Sequence, residues 1–335
     1  MSRKVWIVII VVLAIGLLSM AIYQNLKKSK PLGIGKKHYR VGITQIITHP
    51  GIDAVRHGFL DQMKNLGYLE GKNITYDQQN AQGQMPVAQS IAQKFVADKV
   101  DLIFSITTPS SQAAAKATQG TNIPVVFGAV TDPVSAGLVR SLDRPRGNIT
   151  GTSDVWPVED QFNLLLSLVP KVKRVGIVYN PGESNAVYNV KIAEEVCEKK
   201  GLEVVEVSIA NTGEVQVATK SLVGRCDAIY APADNTIVSA MDAVVRVAEA
   251  NKIPLLVGDA PSIEKGGFGT IGNDYFEIGS VSAKLADRVL KGEKPGNIPV
   301  ARATLYEYFF NLKSAKKMGI TIPQDLLKKA KKVYK

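Results

Sequence analysis

Short apolar runs recur along the chain from Tyr39 onward: RVGITQI, VDLIFSI, IPVVFGAV, RVGIVY, LEVVEVSI, CDAIYA and IPLLVG. They are rich in Val and Ile and nearly continuous, the pattern of strands buried on both faces of a parallel sheet. Between them lie stretches with apolar residues at helical spacing, such as GIDAVRHGFLDQMKNLG and SNAVYNVKIAEEVCEKKG. Each ends on a glycine, Gly67 and Gly201, where a helix stop is expected. Strand and helix alternating in this way predict an α/β fold built on a doubly wound sheet.

The pattern is written twice. VDLIFSITTPSSQAAAKA from Val100 and CDAIYAPADNTIVSAMDA from Cys226 both read as Asp, apolar strand, polar turn and Ala-rich helix. NIPVVFGAVTDPVSAGL from Asn122 pairs with KIPLLVGDAPSIEKGGF from Lys252, and RVGIT at Arg40 with RVGIV at Arg174. The offsets of 126, 130 and 134 residues make the repeat a whole domain. Two similar Rossmann-like lobes with parallel sheets are therefore expected, with function in the cleft between them.

Lobe one is expected to comprise 38–153 plus 275–300, and lobe two 154–274 plus 301–335, with 1–37 an anchor and Lys-rich spacer. NITGTSDVW would carry the chain across first. A helix from Phe276 to Lys291 would return to lobe one, and ATLYEYFFNL would cross back. Three crossings form a multi-strand hinge, which permits a small rotation about stiff strands.

The net charge of +11 changes meaning once the charges are located. Residues 1–40 hold eight Lys or Arg and no acid, and 313–335 hold eight Lys against Asp325 alone. The body, 41–312, has 25 basic and 29 acidic residues. A nucleic-acid groove would need its basic residues in the folded body, so nucleic acid is not the expected partner. The tails suit anionic lipid or cell wall, or are simply solvated.

Val5–Tyr23 is an uncharged run of nineteen residues preceded by Arg3 and Lys4. That nearly matches the ~20 needed to cross a bilayer and exceeds the apolar stretch of an ordinary signal peptide. SMA at Ser19–Ala21 offers a cleavage motif, so either a membrane anchor or a cleaved signal is open. In both cases the body is expected outside the cytoplasm. Cys197 and Cys226 are the two cysteines, expected as buried free thiols, and no metal site or cofactor is expected from them.

In open α/β sheets ligands bind beyond the carboxyl ends of the strands. Those ends carry Thr44 and Gln45, Thr107 to Ser111, and Thr131 in lobe one. In lobe two they carry Tyr179 and Asn180, Asp234 to Thr236, and Asp259. TTPSSQ predicts a helix beginning at Pro109 with Thr108 as its cap. The N–H groups and hydroxyls of Ser110 and Ser111 would then face the cleft, a setting suited to a carboxylate. Asp234 is expected to cap the matching helix, with Asn235 beside it. Asp259, an acid at the end of a buried strand, needs a partner, and a ligand ammonium would serve. Trp156, Tyr179 and Tyr275 are candidate walls for an apolar side chain.

Catalysis finds little support, and no enzyme activity is expected. Of three histidines, His38 sits in the spacer, His57 inside a helix, and His49 after the first strand; only His49 is placed to reach the cleft, and the alternative for a loop His is a solvated position. G-x-S-x-G, H-E-x-x-H and P-loop patterns are absent from the sequence.

GFLDQMKNLGYLEGKNITYDQQNAQG, GAVTDPVSAGLV, GNITGTSD, VGIVYNPGESNA and DAIYAPADNT together resemble the ABC transporter substrate-binding proteins of the tryptophan/tyrosine-binding family. IGSVSAKLADRVLKGEKP also looks like the return helix of ribose-type binding proteins, which implies the type I periplasmic-binding-protein fold. The resemblance implies capture of an amino acid, aromatic or large and apolar, and delivery to a membrane permease with its ATPase. It carries ligand contacts onto Thr44, Gln45, Thr108, Ser110, Asp154, Asn235, Asp259 and Asn273. The chain departs from it in having no lipobox Cys, which favours anchoring by the apolar helix. A sugar-binding protein on the same fold and an exported sensor domain are the alternatives. The strand ends carry no Arg to fork-bond sugar hydroxyls, and four residues before the apolar run are too few for a cytoplasmic output domain.

Overall fold

The computed structural model describes residues 38–335. The Val5–Tyr23 run and the motif at Ser19–Ala21 lie outside the described residues. Among the described residues no helix is long and apolar enough to cross a membrane.

The first half of the chain alternates as its apolar runs require. In order it forms β1 (Tyr39–Gln45), α1 (Pro50–Asn65), β2 (Ile74–Asn80), α2 (Met85–Ala97) and β3 (Leu102–Ile106). Then come α3 (Thr108–Ala117), β4 (Val125–Val130) and β5 (Ile149–Ser153). The second half repeats the plan with α4 (Val158–Leu168), β6 (Arg174–Tyr179), α5 (Ser184–Lys199), β7 (Glu203–Ser208) and α6 (Val215–Ser221). It continues through β8 (Ala228–Ala231), α7 (Asn235–Ser239), α8 (Met241–Asn251), β9 (Leu255–Val257) and β10 (Gly269–Gly272). The chain ends with α9 (Tyr275–Leu290), β11 (Ala301–Arg302), β12 (Glu307–Asn311), α10 (Leu312–Lys317), α11 (Gln324–Lys329) and β13 (Ala330–Tyr334).

Two sheets result, one of order β11-β5-β4-β3-β1-β2 and one of order β13-β12-β10-β9-β8-β6-β7. The run β2-β1-β3-β4-β5 matches β7-β6-β8-β9-β10 strand for strand, so the sequence repeat is also a structural one. All pairs are parallel except β10 with β12. The central strands are buried end to end, as their unbroken apolar runs demand.

The chain passes between sheets after β5, after β10 and after β11. The last crossing differs in detail from the expected division at residue 300. Ala301 and Arg302 still pair with Thr152 and Ser153 of the first sheet. The return helix α9 lies hard against α1, because two glycines let the backbones meet. A Cβ on Gly58 would stand 2.0 Å from the Phe276 carbonyl oxygen, and one on Gly279 would stand 2.0 Å from that of Val55. Ser282 adds a hydrogen bond to the Thr152 hydroxyl on β5 at 2.9 Å.

Two of the strands outside the apolar runs are edge strands, β2 and β13. β2, sequence ITYDQQN, is an edge strand with one buried residue, so its composition is that of a polar segment. The Lys-rich end, read as a tail, closes in β13 along the other sheet's edge, with Val333 and Tyr334 half-buried and the lysines outward. Outward lysines also guard such an edge against pairing with another chain. Cys197 and Cys226 are buried free thiols.

Candidate functional site

The strand ends of both lobes converge on one buried cavity. His49, Thr107, Thr108, Ala129, Thr131, Asp154 and Tyr275 line it from lobe one and the hinge. Asn185, Ala233, Asp234, Asn235, Val238 and Asp259 line it from lobe two. Eight of the fifteen residues singled out from the sequence are therefore brought together: Thr107, Thr108, Thr131, Asp154, Asp234, Asn235, Asp259 and Tyr275.

The lobe-one wall is built on strained backbone. Thr107 takes φ 72° and Ala129 φ 55°, the left-handed region that costs a side-chain-bearing residue of order 1–3 kcal/mol. Their register is locked, since Thr107 N–H donates to the Gly128 carbonyl at 2.9 Å and β4 bulges between Phe127 and Val130. This turn moves the helix cap. Thr107, not Thr108, precedes the first helical residue, and its side chain makes no capping bond. Ser111 N–H donates to the Thr107 carbonyl at 3.1 Å, which leaves Thr108 and Ser110 as the free N–H groups of the first turn. Ser111 turns inward, donating to the Thr107 carbonyl at 2.7 Å and accepting from Ser105 at 2.9 Å. The hydroxyls of Thr107, Thr108 and Ser110 are buried with no partner among the described residues.

Two acids face the same space. Asp154, just beyond β5, accepts from the Tyr275 hydroxyl at 3.3 Å through Oδ2, while its Oδ1 has no partner among the described residues. Burial pushes its carboxyl up to about 7, with neighbouring Asp259 adding to the rise. Asp259 caps a short 3₁₀ turn, Ala260–Glu264, accepting from Ser262 N–H at 3.1 Å through Oδ2. Its Oδ1 is likewise buried and without a partner among the described residues, and burial pushes it up to about 6. The loop that carries Asp259 is held by Gln161 of α4, which donates to the carbonyls of Gly258 at 2.9 Å and Ile271 at 2.7 Å. Tyr230 in turn donates to Gln161 at 3.0 Å.

Asp234 lines the cavity too, but both its oxygens are engaged. Ile237 N–H donates at 3.0 Å and Asn180 N–H at 2.6 Å, so it works as the cap of α7. Burial, and then the neighbouring Glu183, hold its carboxyl well above the ordinary value. Glu183 accepts from Asn235 N–H at 3.1 Å, Asn235 Nδ2 at 2.5 Å and Thr236 N–H at 3.0 Å, a second clamp on the same helix end.

The remaining seven stand outside the lining. Thr44 ends β1 buried, with its hydroxyl unpartnered among the described residues, and Gln45 donates to the Ile47 carbonyl at 3.1 Å. Ser110 and Ser111 follow Thr108 in the first turn of α3 and are not among the lining residues. Tyr179 is half-buried at the end of β6 beside Glu206, so it does not wall the cavity. Asn180 braces Asp234 and Thr236, the latter at 3.0 Å. Asn273 donates to the Val155 carbonyl at 3.3 Å at the hinge. Trp156 stacks at a 33° tilt on Tyr275, centroids 5.8 Å apart, and makes an aromatic corner with it.

His49 reaches the cleft, the first of its two expected placements, and is not a solvated loop side chain. It is buried, its Nδ1 accepts from Ile52 N–H at 3.4 Å as the cap of α1, and its Nε2 meets Asn235 Oδ1 at 3.4 Å. Burial lowers its pKa to about 4, so it is neutral. Its place directly before Pro50 at a helix start is the sequence signal that marks it as a cap. Asn185 carried no such signal.

A two-lobed α/β body with a polar, acid-bearing cavity at its strand ends is an architecture suited to holding a small solute between the lobes. The ABC transporter substrate binding protein family model matches residues 40–334, and the chain belongs to that family. It is 44% identical to a tyrosine-binding protein of Clostridioides difficile over 276 residues, 82% of this chain and 79% of that one. A domain from Streptococcus pneumonia solved in complex with L-Trp superposes with a TM-score of 0.85 at 33% identity, covering 89% of this chain and all of that one. A ligand-free, open substrate-binding protein from Clostridium difficile, 40% identical over 88% of this chain and 99% of its own, superposes at 0.67. The more distant sequence, the L-Trp complex, thus gives the closer superposition of the two. Solute-binding proteins of the type I periplasmic-binding fold, 12–17% identical, share the fold at TM-scores of 0.60–0.62.

Proposed function

We propose that the cleft captures an aromatic amino acid as its zwitterion for delivery to the permease and ATPase of an ABC importer. One observation carries this reading: buried side-chain atoms without partners among the described residues gather on a single cavity, the hydroxyls of Thr107 and Thr108 and one oxygen each of Asp154, Asn185 and Asp259. Unpartnered buried groups cost about 1–3 kcal/mol each, so their clustering points to a ligand that completes them. The α3 terminus suits a carboxylate. Asp154 and Asp259 suit an ammonium, and the Trp156–Tyr275 corner suits a ring. The tyrosine- and L-Trp-binding relatives support the aromatic class.

The space left by the lobes as they stand is about 20 Å3, room for about one water. An amino acid therefore enters only when the lobes part. A thermal-shift screen of the protein with all amino acids and common sugars tests the reading. A ligand at a thousandfold excess over Kd adds about 4 kcal/mol of stability. Shifts with Trp or Tyr are expected, and shifts with sugars alone would overturn it.

The role proposed is binding without catalysis or nucleic-acid contact, and attachment is through an uncleaved Val5–Tyr23. N-terminal sequencing of the native protein tests that attachment: a chain beginning at Ile22 would refute it.

A further inference from the structure

The cleft has two compartments that meet at Asn235. Beyond the inner cavity, Ile46, Ile47, Met85 and Pro109 of lobe one face Pro181 and Ile209 of lobe two around an outer space of about 380 Å3. Asn235 lines both, and its Oδ1 meets His49 Nε2 across the cleft at 3.4 Å. Each end of that bond is fixed before it forms. Glu183 holds Asn235 through its backbone and its amide, which leaves the Asn235 oxygen free to face lobe one. On the other side, Ile52 N–H occupies His49 Nδ1, so the proton lies on Nε2 and the ring presents a donor. Both residues are buried.

We infer that His49 and Asn235 form an interlobe latch that seals the inner compartment from the cleft mouth and populates the closed arrangement before ligand arrives. A second crossing contact, Gln112 Nε2 to Ser184 Oγ at 3.3 Å, is only partly buried and already shares its donor with the Ala136 carbonyl. It serves as the comparison.

The test measures the distance between spin labels on exposed positions of the two lobes, Ser90→Cys on α2 and Lys199→Cys on α5, in the free protein. The latch rests on the cleft and not on ligand identity, so this readout stands even if the aromatic reading fails. In the parent a closed population is expected beside an open one. Asn235→Ala should lower the closed-to-open ratio about fivefold, the equivalent of one neutral hydrogen bond of ~1 kcal/mol. His49→Asn keeps a cap for α1 but is too short to reach across, and should give the same shift. The double variant should shift no further than either single one, as residues acting through one bond are non-additive. Gln112→Ala should change the ratio less than twofold. A parent that is wholly open, an unchanged ratio in the single variants, or additive effects in the double variant would each overturn the latch. Where L-Trp or L-Tyr binds, its dissociation should quicken about fivefold in both single variants. Unchanged dissociation would limit the latch to the free protein and refute the seal.

Discussion

Helices α3 and α7 occupy the same place in the two halves of the repeat, directly after β3 and β8, yet their N-termini are opposites. The α7 end is doubly satisfied, by Asp234 on Ile237 N–H and by Glu183 on the N–H groups of Asn235 and Thr236. The α3 end has no side-chain cap, begins on a strained Thr107, and keeps three hydroxyls without partners among the described residues. A helix end filled by two carboxylates repels a further anion, whereas an uncapped one attracts it. Side-chain differences between the two copies close one of these equivalent helix ends and leave the other uncapped, which is the end proposed to receive the ligand carboxylate. The acids with an unpartnered oxygen among the described residues, Asp154 and Asp259, lie at other strand ends, where the proposal puts the ligand ammonium.

The largest effects are expected at those acids. Asp259→Asn and Asp154→Asn each remove a charge-assisted bond of about 1.5–3 kcal/mol, so affinity for the amino acid should fall roughly ten- to a hundredfold by calorimetric titration. Unchanged binding in Asp259→Asn would make that acid a cap, like Asp234.

Stability should move the other way. Burial raises the Asp154 carboxyl to about 7 in the folded chain, above the ordinary aspartate value of about 4. Its ionised form therefore penalises the free protein as pH rises through that window, by up to roughly 4 kcal/mol. Asp154→Asn should raise the Tm of the free protein at pH 8, and the gain should vanish near pH 4. Ligand affinity should fall between pH 8 and pH 5.5 as both acids take up protons. His49, with a pKa of about 4, stays neutral across that range. A flat affinity profile would contradict the pairing of ammonium with acid.

Asp234→Ala probes the closed helix end. It loses a cap worth about 0.5–2 kcal/mol, and Tm should drop with it. Thr107→Gly relieves the positive φ and should stabilise the free protein by about 1 kcal/mol, while ligand affinity falls a few-fold with the lost hydroxyl. Ser110→Ala should cost least, since its N–H remains. A loss there as large as at Asp259 would place the carboxylate on hydroxyls and not on the helix end.

The repeat, the buried strands and the return of α9 were legible because they depend on apolar periodicity. The polar edge strands β2 and β13 were not, since an edge with one buried face leaves little apolar signature. Within the site, the residues after strand ends were found by position. Their division into engaged and open groups was hidden, because it depends on contacts far apart in sequence. Glu183, 52 residues from Asn235, decides that α7 is closed. Likewise Thr107 displaced Thr108 at the cap because a positive φ in a non-glycine residue has no sequence mark.

The central claim is that opposite sides of one cavity read the two charges of an amino acid. Calorimetric titration with L-Trp, tryptamine and indole-3-propionate, under one set of conditions at pH 7.5, tests it most directly. The account expects L-Trp to bind and each analogue, lacking one charge, to bind at least tenfold more weakly. Tryptamine or indole-3-propionate binding as tightly as L-Trp would contradict it.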